Sequence, residues 1–134
     1  MTLGWATSNP RKVAAFAGIY PVCNVSSYPG LGRACGAYHM TEQELAAHLS
    51  DYNPVDRLKS LARAKVPLFA IHGDIDKVVP LAANSGLMKS RYDALGGSMQ
   101  LIVPPGQDHN MWTGFFQSEE LVRFVIKHAQ PSKH

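Results

Sequence analysis

A chain of 134 residues, 46% hydrophobic and 17% charged, has the make-up of one globular domain with enough apolar material for a core. The net charge of +3 is scattered, and the longest basic run is the pair Arg11-Lys12, which argues against nucleic-acid and membrane-surface partners. Cys23 and Cys35 do not make a disulfide framework, and neither a leader pattern nor a membrane-length apolar run of ~20 residues occurs, so the chain reads as a soluble cytoplasmic protein.

Met1–Asn9 reads as the last turns of a helix that Pro10 stops. Val13–Val22 is a continuous apolar run, and Pro21 ends the strand near Tyr20. From Val25 to Met40 the chain is rich in Gly, Pro and Ser, a long loop of the kind that forms lids or binding loops. Thr41-Glu42-Gln43-Glu44 is a capping box, opening a short helix with Leu45, Leu49 and Tyr52 on one face. Residues 25–52 therefore read as a lid-like loop and helix insertion. Asn53-Pro54 starts a further helix, with Asn53 as the cap and Leu58 and Leu61 facing inward.

Val66–Ile71 is unbroken apolar sequence bounded by turn residues, the pattern of a strand buried on both faces. It ends in His72-Gly73-Asp74-Ile75-Asp76, where an open α/β sheet gathers its ligand and catalytic groups. Leu81–Leu95 is helical, with Leu81, Met88, Tyr92 and Leu95 at helical spacing, and Gly96-Gly97 ends it. Met99–Val103 is a third strand, followed by the loop Pro104–His109. Ser118 caps a closing helix whose apolar face is Leu121, Val122, Val125, Ile126 and Ala129.

Strands alternating with helices give an α/β fold, a small three-stranded parallel sheet with flanking helices, in a single domain over 1–134. The apolar Val13–Tyr20 strand would then be an exposed edge, so a homo-oligomer, a dimer covering that edge, is expected.

The order of these elements resembles the C-terminal half of the α/β-hydrolase superfamily, with its esterases, dienelactone hydrolases and prolyl-oligopeptidase-like enzymes. Val66–Pro80 resembles the strand and turn carrying the catalytic acid, often G-[DE]-x-D-x-x-V-P. Gly106-Gln107-Asp108-His109 resembles the loop carrying the catalytic histidine, often G-x-x-H, 33 residues on, in the family's order of acid before histidine. The resemblance implies Asp76 as the acid and His109 as the general base. The function it implies is a carboxylic-ester hydrolase acting on small acyl esters, with no cofactor.

The resemblance stops at the nucleophile. The family's G-x-S-x-G elbow occurs nowhere in the chain, so the front half of such a fold, its nucleophile included, is expected to be missing. Cys23, Ser26 and Ser27 are the candidate nucleophiles. Cys23 reads either as a thiol activated by His109 or as a small buried apolar residue. Asn24, Met111 and Trp112 are candidate pocket residues. Two other readings stand beside this one. A catalytically inactive hydrolase remnant would act as an interaction or folding module. A metal-dependent hydrolase would use His72, Asp74 and Asp76, one imidazole and two carboxylates at alternate positions.

Overall fold

The computed structural model describes residues 2–129. Its three strands are β1 (Phe16–Ile19), β2 (Leu68–Ile71) and β3 (Met99–Ile102), all parallel and ordered β1-β2-β3. The helices are α1 (Thr2–Ser8), α2 (Leu31–Ala34), α3 (Glu42–Ala47), α4 (Leu49–Tyr52), α5 (Lys59–Arg63), α6 (Ser85–Ala94), α7 (Thr113–Phe116) and α8 (Glu119–Ala129).

The central strand is covered on both faces, as its unbroken apolar run requires. Leu68 and Ala70 join Leu3, Ala6, Leu58, Leu61, Met88, Tyr92 and Met99 on one side. Phe69 and Ile71 point the other way, toward Phe115, Leu121 and Phe124. Burying each large side chain contributes roughly 1.5–3 kcal/mol, so these two clusters hold the layers together. Buried Tyr92 also needs a partner for its hydroxyl, which donates to the Val66 carbonyl at 2.6 Å and ties α6 to the start of β2. Gly96 at φ 75° ends that helix, and of the residues at helical spacing Met88 and Tyr92 are buried while Leu95 is exposed.

Local signals behave as their chemistry dictates at several places. The capping box at Thr41 and Glu44 is formed in both directions, and its hydrogen bonds hold the Glu44 carboxyl below its ordinary range. Ser118 Oγ accepts from the Leu121 amide and caps α8. Leu45, Leu49 and Tyr52 form a separate small cluster with Val25, Leu31, Ala34 and Tyr38, so much of the Gly/Pro-rich stretch is short helix rather than loop.

Other expectations need correction. α1 does stop before Pro10, as expected, and Pro10 then opens a single 3-10 turn, Pro10–Lys12. The first strand is shorter than its apolar run, because the ladder extends only as far as the β2 residues that pair with it. Asn53 does not cap the turn at Pro54. Its side chain is buried, accepts from the Val25 amide at 3.0 Å, and donates to Asn24 Oδ1 and Asp56 Oδ2. On α8 the packed side is Leu121 and Phe124, with Phe124 against Phe69. Val122, Val125 and Ile126 are about half exposed, and Ala129 is exposed too.

Among the described residues nothing pairs with the outer side of β1. The Phe16 and Tyr20 amides donate to Pro67 and Ile71, so by alternation the peptide groups of Ala17 and Ile19 face outward. Beside this edge, α1 and α8 wall an apolar groove of about 330 Å³ lined by Trp5, Val13, Phe16, Ala17 and Val125. No described helix is long and apolar enough to cross a membrane.

Candidate active site

β2 delivers its carboxyl end into a turn that is fully occupied with hydrogen bonds. The His72 amide still pairs with the Ile102 carbonyl of β3, and the chain then turns through Gly73. The Asp76 side chain is fully buried, and a buried carboxylate is tolerated only when donors surround it. Its Oδ1 accepts from the amides of Val78 at 3.0 Å and Val79 at 2.8 Å. Its Oδ2 lies 2.9 Å from His109 Nδ1.

His72 braces this turn from inside. Its Nε2 lies 2.7 Å from the Val79 carbonyl, which only accepts, so Nε2 carries the proton and Nδ1 accepts from Ser85 Oγ at 2.8 Å. Burial pushes the His72 imidazole below its ordinary pKa, which keeps this neutral form. Asp76 Oδ2 lies a further 3.4 Å from His72 Nε2. Ser85 opens α6, so the acid turn is fastened to the following helix as well as to the sheet.

The histidine loop is sewn to the acid turn. Gly73 passes so close to Gln107 that a Cβ there would lie 2.1 Å from the Gln107 carbonyl oxygen. The Ile75 amide donates to that same oxygen at 3.2 Å. Asp108 Oδ1 accepts from the amides of Lys77 and His109, both at 2.8 Å, bridging one loop to the other. These two amides hold the Asp108 carboxyl below the usual carboxylate range.

A carboxylate accepts and does not donate, so His109 Nδ1 carries a proton toward Asp76 and Nε2 is left with its lone pair. Nε2 has no protein partner among the described residues. The imidazole is 29% exposed, and the Tyr20 ring lies against it with centroids 4.0 Å apart. An imidazole oriented by a buried carboxylate, with its second nitrogen open, can take a proton from a hydroxyl or a water.

The candidate nucleophiles are not drawn to Nε2. Cys23 is completely buried beside Met88 Sδ, and burial pushes its thiol up to about 12, so it holds a proton at neutral pH. It is a core residue rather than a nucleophile. Ser26 Oγ donates to Asn24 Oδ1 at 2.6 Å, and Ser27 Oγ donates to the Asn24 carbonyl while accepting from Asn84 Nδ2. Both serines brace the 23–28 turn. Asn24 Oδ1 accepts from the Ser26 amide and hydroxyl and from Asn53 Nδ2. Buried Asn84 fixes this turn by accepting from the amides of Cys23 and Asn24.

Met111 is 76% exposed and Trp112 40% exposed, just beyond the histidine. Trp112 packs edge-on to Phe115 and over Gly114, where a Cβ would collide with the indole. The metal set does not assemble. Both His72 nitrogens are engaged, Asp74 is exposed, and no group of three or more His, Cys, Asp or Glu among the described residues could hold an ion. His39 and His48 are exposed, and His128 packs on Phe124. Tyr20, Asp108 and Asn84 carry no local sequence signal for their roles, since each acts on a segment far along the chain.

No family model and no curated protein matches the chain. Solved structures match its fold. A candidate dipeptidyl aminopeptidase IV from Bacteroides ovatus shares 19% identity at TM-score 0.71, over 96% of this chain and 18% of that one. An S-formylglutathione hydrolase from Agrobacterium tumefaciens shares 14% identity at TM-score 0.72, over 96% of this chain and 45% of that one. A truncated carbohydrate esterase from gut microbiota shares 19% identity at TM-score 0.59, over 86% of this chain and 43% of that one. These are α/β-hydrolases, and the three-stranded parallel sheet with its flanking helices matches part of their fold. The chain spans less than half the length of each.

The Asp108 bridge makes a pH-dependent prediction. Its folded-state pKa is lowered, so the stability it contributes is complete above the unfolded value near ~3.9 and is lost as pH falls through the folded value. In urea titrations, Asp108→Ala is expected to be less stable than the parent at neutral pH. The gap should narrow as pH drops below about 4. A gap constant from pH 7 to pH 3 would show that the carboxylate form does not hold the loops together.

Proposed function

We propose that Asp76 and His109 are the acid–base pair of a carboxylic-ester hydrolase acting on small acyl esters. The observation that carries this reading is the 2.9 Å contact between Asp76 Oδ2 and His109 Nδ1, with Nε2 left open. The neighbours described as an S-formylglutathione hydrolase and a carbohydrate esterase support an ester-cleaving chemistry for this fold.

In this mechanism Nε2 takes the proton from a nucleophilic hydroxyl as its oxygen attacks the ester carbonyl carbon. Asp76 stabilises the resulting imidazolium through Nδ1 without itself being protonated. The imidazolium returns its proton to the leaving alkoxide as the acyl–oxygen bond breaks. Water then repeats the cycle: His109 takes its proton, it attacks the acyl carbon, and the nucleophile's hydroxyl is regenerated. Met111 and Trp112, exposed and two and three residues beyond the base in sequence, are the residues assigned to a wall of the acyl pocket on this reading.

Within one copy Cys23, Ser26 and Ser27 are all otherwise engaged, so the hydroxyl is taken to be supplied by a second copy of this chain. Tyr20, at the carboxyl end of the open edge strand, already touches His109. The nucleophile therefore approaches across the β1 edge, from the segment that covers it. A second copy of this chain is the cover proposed here, burying the groove by Trp5 and Val125 and the outward peptide groups of Ala17 and Ile19. The same lack of an engaged hydroxyl favours one competing reading, an inactive hydrolase remnant that serves as an interaction module.

Hydrolysis of p-nitrophenyl acetate separates the two. The ester-hydrolase reading expects turnover by the purified protein that falls by roughly 10²–10⁴-fold in both His109→Ala and Asp76→Asn. Turnover surviving both substitutions would rule out the pair, and no turnover over buffer, with no residue labelled by a fluorophosphonate, would favour the remnant. Sedimentation velocity is expected to show a dimer at micromolar concentration. A stable folded monomer would remove a second copy as the cover of β1.

A further inference from the structure

We propose that Tyr20 is a positioning residue that holds the His109 imidazole in register with Asp76. This inference rests on the acid–base reading above and adds a residue that nothing in the acid turn or the histidine loop supplies.

A single hydrogen bond does not fix an imidazole. The contact from Nδ1 to Asp76 Oδ2 sets one edge of the ring, but rotation about the side-chain bonds can exchange that edge or swing the ring toward solvent. The second constraint has to come from contact with the ring's face. Among the described residues the only aromatic ring against His109 is Tyr20, at a centroid distance of 4.0 Å and an interplanar angle of 46°. Tyr20 is itself held from behind. Its ring meets Phe115 edge-on at 5.3 Å and Phe116 at 6.5 Å, and Phe115 is fully buried in the core on that side of the sheet. The imidazole is thus gripped between a carboxylate anchored to β2 and an aromatic ring anchored to β1 and α7.

The backbone at Tyr20 bears the mark of this placement. Its amide remains in the ladder, donating to the Ile71 carbonyl at 2.8 Å, yet its φ is 33°. A bulky aromatic residue rarely adopts positive φ, and its steric cost persists only where surrounding contacts over-determine it. The cost here accompanies a chain that leaves β1 with its ring turned onto His109. The phenol hydroxyl has no partner among the described residues, so the ring face, not the hydroxyl, is the working part.

The test reads the His109 Nδ1–H directly. In ¹⁵N-labelled protein at low temperature, this proton should give a downfield imidazole resonance, assigned by its loss in His109→Ala. Tyr20→Phe keeps the ring and should leave the resonance and its exchange rate with water unchanged. Tyr20→Gly and Tyr20→Asn remove the ring but tolerate positive φ, so the backbone stays in place, which the remaining amide spectrum verifies. Both should speed exchange of the Nδ1 proton at least about tenfold or broaden the resonance away, as expected when the hydrogen bond opens more often. An unchanged resonance in Tyr20→Gly and Tyr20→Asn, with the wild-type resonance present, would overturn the role of Tyr20 and leave the Asp76–His109 pair standing. A wild-type protein without the resonance would overturn the pair itself, and this inference with it.

Discussion

The arrangement at the top of the sheet depends on how closely the two loops after β2 and β3 approach. Gly73 leaves room for the Gln107 carbonyl where any side chain would collide with it. Once that contact is made, the Ile75 amide reaches the same oxygen and Asp108 reaches the amide of Lys77. Each loop alone is a short polar segment with unsatisfied backbone groups, and together they satisfy one another. Asp76 and His109 meet because the backbones carrying them are already joined.

That joining also explains why a carboxylate is tolerated in the interior. Asp76 loses its water on folding, a loss that costs several kcal/mol for an ion without partners. Two amides of its own turn and an imidazole nitrogen replace that water, and no buried polar side-chain atom among the described residues is left without a partner. His72 completes the shell in its neutral form. Two histidines thus flank one acid in different ways. The buried one is locked by Val79 and Ser85, and the partly exposed one keeps a nitrogen open. On the proposed reading this difference divides the work between structure and chemistry.

Much of this was legible in the residues because it is local. Val66–Ile71 declares a buried strand by its unbroken apolar run, and Thr41 with Glu44 declares a helix start by reciprocal capping. The parallel sheet follows from the alternation of strands and helices. What was not legible depends on partners far along the chain. Asn53 has the look of a helix cap, yet the Val25 amide, deprived of a strand partner, takes its oxygen. On α8 the apolar residues spread around more than one face, and the face that packs is chosen by Phe124 meeting Phe69. Cys23 sits at a strand end, where sequence position suggests reactivity, but the packing of α6 encloses it beside Met88. Tyr20 reads as a strand terminus, and only the left-handed turn of its backbone brings it to His109.

The central claim is that Asp76 and His109 act as one unit. A double-mutant cycle in urea unfolding, using Asp76→Ala, His109→Ala and the double variant, measures that coupling directly. The account predicts a coupling of about 1–3 kcal/mol at neutral pH, with the double variant clearly less destabilised than the sum of the singles. Additivity within about 0.5 kcal/mol would contradict it.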